Sequence, residues 1–176
     1  MNSRIKYYLT ATLVAGLLSS SASAMKIEKL PYMGDFHLGI VHGPGLGINL
    51  GVDGGLKLKD FDIGLEVYQI MTDVNYSATI SATRFGAILG LKLYPNLKLN
   101  GHYGYFNFIP SRDIIFTDIS GKTQTVTEAN NYKGEYLAVS LDYIAWDLIF
   151  SPKYVFNKIT DKGNLSEVDF NIGKSF

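Results

Sequence analysis

The sequence predicts an all-β fold, a closed up-and-down antiparallel barrel of eight strands, and three observations carry that expectation. Apolar and polar residues alternate at period two along almost the whole chain after residue 24. The alternating segments are separated by connections that are in turn very short and longer. The last segment, VDFNIGKSF, holds the alternation to its final residue, where chain ends are ordinarily polar and loose.

The first 24 residues are a separate object. MNSRIKYY carries Arg4 and Lys6 without an acid, LTATLVAGLL is a short apolar run, and SSSASA places Ala22 and Ala24 at small-residue positions. This is the pattern of a secretory signal peptide, cleaved after Ala24. Residues 25–33 are expected as a short N-terminal periplasmic segment and 34–176 as the barrel. Of the 16 basic and 16 acidic residues, the leader holds two basic ones, so the mature chain carries a net charge of −2. That balance gives no basic footprint for nucleic acid. The chain has no cysteine, so packing and sheet pairing must stabilise it without disulfides. After the leader no apolar run reaches the length of about 18 residues that a membrane-spanning helix needs.

The strands are expected at 34–42, 45–58, 61–71, 77–94, 97–109, 132–143, 146–157 and 165–176. The second sorts most cleanly. Leu46, Ile48, Leu50, Val52, Leu56 and Leu58 fall on one face, and Gly47, Asn49, Gly51, Asp53, Gly55 and Lys57 on the other. A helix would scatter these residues around its circumference. The third repeats the sorting, with Phe61, Ile63, Leu65 and Val67 against Asp62, Gly64, Glu66 and Tyr68. Lys59-Asp60, Pro95-Asn96 and Ile144-Ala145 are expected as two-residue turns. The connections at His42–Gly45, Thr72–Tyr76, Pro110–Asn131 and Lys158–Leu165 are mostly longer and more polar. An even strand number places both termini at the short-turn end. Closure pairs the first strand with the last and removes the exposed edges.

Alternation alone leaves open which face is outside. A soluble barrel would wrap its apolar face around a ligand, whereas a membrane barrel would turn that face to lipid. Mixed charges interspersed with glycine suit a narrow lumen in which charges pair. Aromatic residues also gather near strand ends: Phe61, Tyr94, Tyr143, Trp146 and Phe176 toward the short turns, and Tyr103, Tyr105, Tyr132, Tyr154 and Phe156 toward the loops. The third feature is a resemblance. Phe176, with Ile172, Phe170 and Val168 at alternate positions before it, resembles the terminal strand signal of bacterial outer-membrane barrels, although Lys174 interrupts the pattern. The signal peptide and the eight-strand layout resemble in architecture the small OmpA, OmpX and OmpW-like barrels.

The resemblance implies an eight-stranded transmembrane β-barrel in a bacterial outer membrane, read by the barrel-assembly machinery through Val168, Phe170, Ile172 and Phe176. It implies contact with outer-membrane lipid and lipopolysaccharide, and a monomer. A barrel of this size has an interior just wide enough for side chains to fill. Asp53, Asp62, Glu66, Arg84, Lys92, His102, Asp142, Glu167 and Asp169 are expected to form its interior polar network, a plug of ion pairs beside Tyr68, Tyr94, Phe106 and Tyr136. A narrow conduction path or a minor transport role for small or apolar solutes is the alternative.

An enzyme acting on outer-leaflet lipid would need a nucleophile and base within reach of substrate. His102, Ser140 and Asp142 share a face on neighbouring strands, but near the short-turn end, and an inward His beside an Asp is more often a satisfied interior group. Of the other two histidines, His37 and His42, the latter sits at the loop end without a serine partner. No catalytic residue, cofactor or metal ligand is therefore expected. Within residues 110–131, DIIFTDIS and TQTVTEA flank Gly121-Lys122 and predict a hairpin. It is expected to prolong its neighbouring strands as a protruding ribbon, similar to the tall surface sheets of OmpX-type barrels. Its edges would suit a surface partner.

Overall fold

The computed structural model describes residues 32–43, 45–74, 78–128 and 130–175. The expected leader, most of the 25–33 segment and Phe176 lie outside the described residues. In chain order the strands are β1 (Tyr32–His42), β2 (Leu46–Lys57), β3 (Phe61–Val74), β4 (Ala78–Tyr94), β5 (Leu97–Pro110), β6 (Ile114–Thr117), β7 (Thr123–Val126), β8 (Tyr132–Ala145), β9 (Leu148–Ile159) and β10 (Gly163–Ser175). All but β6 and β7 form one closed antiparallel barrel, in which β5 pairs directly with β8. β1 and β10 close it in a register that runs from Asp35↔Ser175 to His42↔Val168. The final strand is thus tied down along its length, which is why its alternation persists.

The orientation of the faces is unambiguous. Leu38, Ile40, Leu65, Phe85, Leu137 and Ile172, drawn from several barrel strands, are each more than half exposed on the outside. A soluble monomer rarely presents a continuous apolar patch beyond a few hundred Å². The outward surface is one for lipid. Phe61, Tyr94, Tyr143 and Trp146 are exposed at the short-turn end, and Tyr103, Tyr105 and Tyr154 toward the loops. Tyr132 does not join this second group, because its ring stacks on Phe108 at 5.2 Å in the barrel mouth.

Three local expectations are corrected. The turn expected at Ile144-Ala145 lies instead at Trp146-Asp147, with φ of +52° and +63°. Two consecutive positive φ values are what a two-residue hairpin turn demands of the strand twist. Trp is an unusual residue to supply one, so composition does not advertise it. Tyr94 faces outward, not inward, because the β4–β5 register shifts between Lys92 and Tyr94 and reverses the alternation there.

The hairpin at β6–β7 exists, but it is not a prolongation of β5 and β8. β5 ends at Pro110, which has no N–H to carry the ladder onward. Only the contact with β4 goes one residue further, Ser111 N–H donating to Thr79 O at 2.8 Å and its Oγ accepting from Thr79 N at 2.8 Å. Ile114 and Val126 are buried in the same cluster as Phe106, Phe108 and Ile159. At the tip, Ile119 N–H donates to Asn164 O on β10 at 3.2 Å. The hairpin lies across the barrel mouth.

Candidate functional site

The lumen gathers most of the chemistry-bearing side chains, because every second residue of eight tilted strands points into a space that only side chains can fill. Glycine makes room for the largest of them. A Cβ at Gly51 would overlap the Tyr68 ring, and one at Gly86 would overlap the Tyr136 hydroxyl.

Glu66 is the centre of the lower, polar half. Its Oε2 accepts from Lys153 Nζ and from His102 Nδ1, each at 2.9 Å, and its Oε1 accepts from Tyr136 OH at 2.6 Å. On the other side of the ring, His102 Nε2 is within hydrogen-bond distance of Ser140 Oγ, 3.0 Å away. Asn100 Nδ2 donates to Ser140 Oγ at 3.0 Å and to Asp142 Oδ2 at 2.7 Å, while Ser151 Oγ donates to Asp142 Oδ1 at 2.6 Å. Closer to the short turns, Lys98 bridges Asp62 at 3.3 Å and Asp142 at 3.7 Å. Lys92 reaches Asp62 at 3.7 Å from a more exposed position at the mouth. Above Glu66, Arg84 pairs with Asp169 at 3.1 Å and with Glu167. Lys153 also lies over the Tyr68 ring at 4.3 Å and Arg84 over Tyr136 at 5.6 Å.

The upper half is different in kind. Phe106, Phe108, Tyr132 and Ile159 fill it, with Phe106 and Phe108 stacked at 6.0 Å, and Ile114 and Val126 of the hairpin close it from above. Asp118 shapes the hairpin tip. Its Oδ1 accepts from Ser120 Oγ at 2.6 Å and from the Ser120 and Lys122 N–H groups at 2.9 Å each. The Ser120 hydroxyl, and then the Lys122 amide, hold its carboxyl below the usual carboxylate range.

Little space remains. The polar half holds a void of about 10 Å³ between His37, Tyr68, His102 and Lys153, which is at the lower limit for a single water. The upper half holds about 50 Å³ among Ile70, Ala82, Phe106 and Leu165. A larger depression, about 670 Å³, lies in the outer wall across β4, β5, β8 and β9. Phe85, Tyr105, Lys133, Glu135 and Lys158 rim it, and Phe106 and Ile159 reach it through the wall.

The residues named from the sequence are distributed as follows. Glu66, His102 and Asp142 lie in one connected network, Asp62 and Lys92 at its lower end, and Arg84, Glu167 and Asp169 above it. Asp53 stands apart and pairs with His37 at 2.8 Å. Phe170 and Ile172 lie on the outer face, with Val168 on the same side and opposite His42. His102 meets Ser140 as expected, but the carboxylate behind its ring is Glu66, across the lumen, not Asp142. Tyr136, Lys98, Lys153, Asn100 and Ser151 complete the network. All five are buried on the inner face, where strand parity gives a side but cannot rank contacts across a lumen.

No protein-family model matches the chain, and no curated protein matches it. Solved structures do. The N-terminal β-barrel domain of Pseudomonas aeruginosa OprF aligns with a TM-score of 0.57 at 12% identity, covering 84% of this chain and 100% of that one. Ail, the attachment invasion locus protein of Yersinia pestis, aligns with a TM-score of 0.53 at 12% identity over 82% of this chain and 96% of its own. A major outer membrane protein from Thermus thermophilus aligns at 0.52 and 13% identity, covering 82% of this chain and 99% of that one. The shared fold is that of small eight-stranded bacterial outer-membrane barrels, and the outward apolar belt is what a place in that membrane requires.

Proposed function

We propose that the chain is a monomeric integral outer-membrane protein with a closed lumen, acting structurally or through its outer face, and neither a diffusion pore nor an enzyme. The observation that supports this reading best is the filling of the lumen by side chains, with voids of about 10 and 50 Å³ in its two halves among the described residues. Water and ions need a continuous path, and here a charged plug and an apolar plug lie in series. The test is ion conductance of the refolded protein in a planar bilayer. Steady single-channel currents would overturn the reading; a silent bilayer containing heat-modifiable, folded protein is the expected result.

Glu66, His102 and Ser140 have the acid–base–nucleophile connectivity of a hydrolytic triad. Ser140, however, is 2% exposed within the charged plug and beneath the apolar one, and the void beside it cannot admit an acyl group. Polar satisfaction of a buried interior accounts for the same hydrogen bonds. Loss of an acyl chain from lipopolysaccharide on incubation with the protein, abolished by Ser140→Ala, would reverse this conclusion.

The outer face offers a surface for interaction. Ile115 and Ile119 of the hairpin are 67% and 57% exposed. A surface partner contacting residues 110–131 would meet these isoleucines, and Ail, an attachment protein by name, has the same barrel fold. Outer-membrane lipid, lipopolysaccharide and the barrel-assembly machinery are the remaining partners of this reading. A second reading rests on the wall depression, which brings Phe106 and Ile159 of the apolar chamber to the lipid side. Through it an apolar solute would pass sideways between chamber and bilayer.

A further inference from the structure

We propose that Asp35, His37 and Asp53 form a binding site for one divalent transition-metal ion of the zinc class, at the short-turn end of the lumen. Asp35 and His37 are two residues apart on β1 and share its inner face, and Asp53 lies directly opposite Asp35 on β2. One ligand atom from each lies within 4.8 Å of the other two, and His37 Nε2 is 2.8 Å from Asp53 Oδ2. In a tetrahedral zinc shell of about 2.0 Å radius, ligand atoms sit roughly 3.3 Å apart, so small side-chain rotations bring the trio to that spacing.

Two further observations point to a missing cation. Asp35 is buried, only 6% exposed, and its Oδ1 has no hydrogen-bond partner. Four cations of the lumen are also committed elsewhere: Arg84 to Glu167 and Asp169, Lys153 to Glu66, Lys98 to Asp62 and Asp142, and Lys92 to Asp62. Among the described residues, Asp35 and Asp53 have no cationic group within ion-pair distance except His37. A protonated His37 would still leave this trio one negative charge in excess. A divalent ion on two carboxylates and a neutral imidazole leaves none, and buried charge is tolerated only when balanced in this way.

The donor set also selects the metal. An imidazole with two carboxylates suits zinc and its neighbours, whereas magnesium and calcium prefer oxygen alone. Asp35 pairs with the last described residue of β10, next to the open end. The side chain of Asp53 keeps 10% exposure, so an ion and a fourth, water ligand can arrive from that mouth.

The experiment uses the barrel refolded in detergent, stripped with EDTA, and titrated with Zn²⁺ by calorimetry and with Co²⁺ by visible absorption. The expected result is one Zn²⁺ per chain, the intense absorption of tetrahedral cobalt, and no competition from excess Mg²⁺. His37→Gln and Asp53→Asn should each weaken Zn²⁺ at least tenfold while keeping the heat-dependent gel mobility of a folded barrel. His42→Gln, on the outer face, should bind as the parent does. Absence of stoichiometric Zn²⁺ on folded parent protein, or undiminished binding by His37→Gln, would overturn the proposal. If the variants do not fold, the cobalt spectrum decides: weak octahedral absorption on the parent protein rejects the site.

Discussion

Neutralising Glu66 should unsettle the barrel more than any other single change in the lumen. Its carboxylate is almost fully buried and accepts from Lys153, His102 and Tyr136. Glu66→Gln keeps the shape but leaves the Lys153 ammonium, itself 2% exposed, without a counter-ion. Breaking a buried pair from one side costs about 3–5 kcal/mol, mostly because the surviving charge is stranded. Lys153→Met should cost a similar amount by stranding Glu66, cushioned by its contact with His102. The double variant strands neither charge, so its cost should fall short of the sum by about 2 kcal/mol or more. Urea unfolding in lipid vesicles gives these numbers, because the chain has one tryptophan. Trp146 is exposed at the short-turn rim and moves from interface to water on unfolding. Single variants costing less than about 1 kcal/mol, with effects that add to within about 0.5 kcal/mol, would show that the plug is not held by this pair.

Three further outcomes are expected. Gly86→Ala forces a Cβ onto the Tyr136 hydroxyl and should cost about 1–3 kcal/mol, as overpacking usually does, in the same urea assay; adding Tyr136→Phe should recover part of it. Replacing residues 113–128 by a short Gly-Ser linker should uncover Phe106 and Phe108 and raise binding of an apolar dye. It should leave the bilayer silent, since the charged plug below is untouched; currents from this variant would mean that the hairpin alone closes the lumen. Because the Asp118 carboxyl is held below its ordinary value of 3.8, its contribution to the lid is complete above that value. The contribution is lost as pH falls through the lower, folded value. Protection of the Ser120 and Lys122 amides from hydrogen exchange should therefore be full at neutral pH and fall only in strong acid, while Asp118→Ala should lower it already at neutral pH.

The barrel was legible in the chain because a strand's period is two and the outside of this one is lipid. Leu46, Ile48 and Leu65, or Asp62 and Glu66, need only be counted to be assigned a face. What resisted counting was local reversal of that parity. The slip at Lys92/Tyr94 and the two positive φ values at Trp146-Asp147 carry no compositional warning, since neither Tyr, Trp nor Leu announces a bulge or a turn. The hairpin was visible as two short β runs around Gly121, but its direction was not. That depended on Pro110 ending β5 and on Ile114 and Val126 finding an apolar surface below. The polar network was legible as a set and illegible as a wiring diagram. Glu66 meets His102 across 36 residues of sequence and Lys153 across 87, distances at which strand parity supplies a face but no partner. Asp35 and His37 alternate with Phe36 and Leu38, so parity marks them inward, but only the β1–β2 register sets Asp35 opposite Asp53.

The two halves of the lumen reject different visitors. A hydrated ion approaching from the loop side meets Ile114, Val126 and the Phe106–Phe108 stack, where nothing replaces its water. An apolar molecule that displaced those rings would next meet Arg84, Glu66 and Lys153, whose pairing it would have to break without offering a hydrogen bond. Neither class of solute can traverse both, so straight passage along the axis is disfavoured for reasons that do not depend on bore alone. An apolar molecule in the upper chamber has an easier exit than the charged floor. It is the wall between β5 and β9, where Phe106 and Ile159 already border the outer depression and Gly134 of β8 presents no side chain to block it. If this barrel transports anything, the arrangement restricts it to apolar cargo moving sideways into lipid, and widening the wall there should matter more than opening either end.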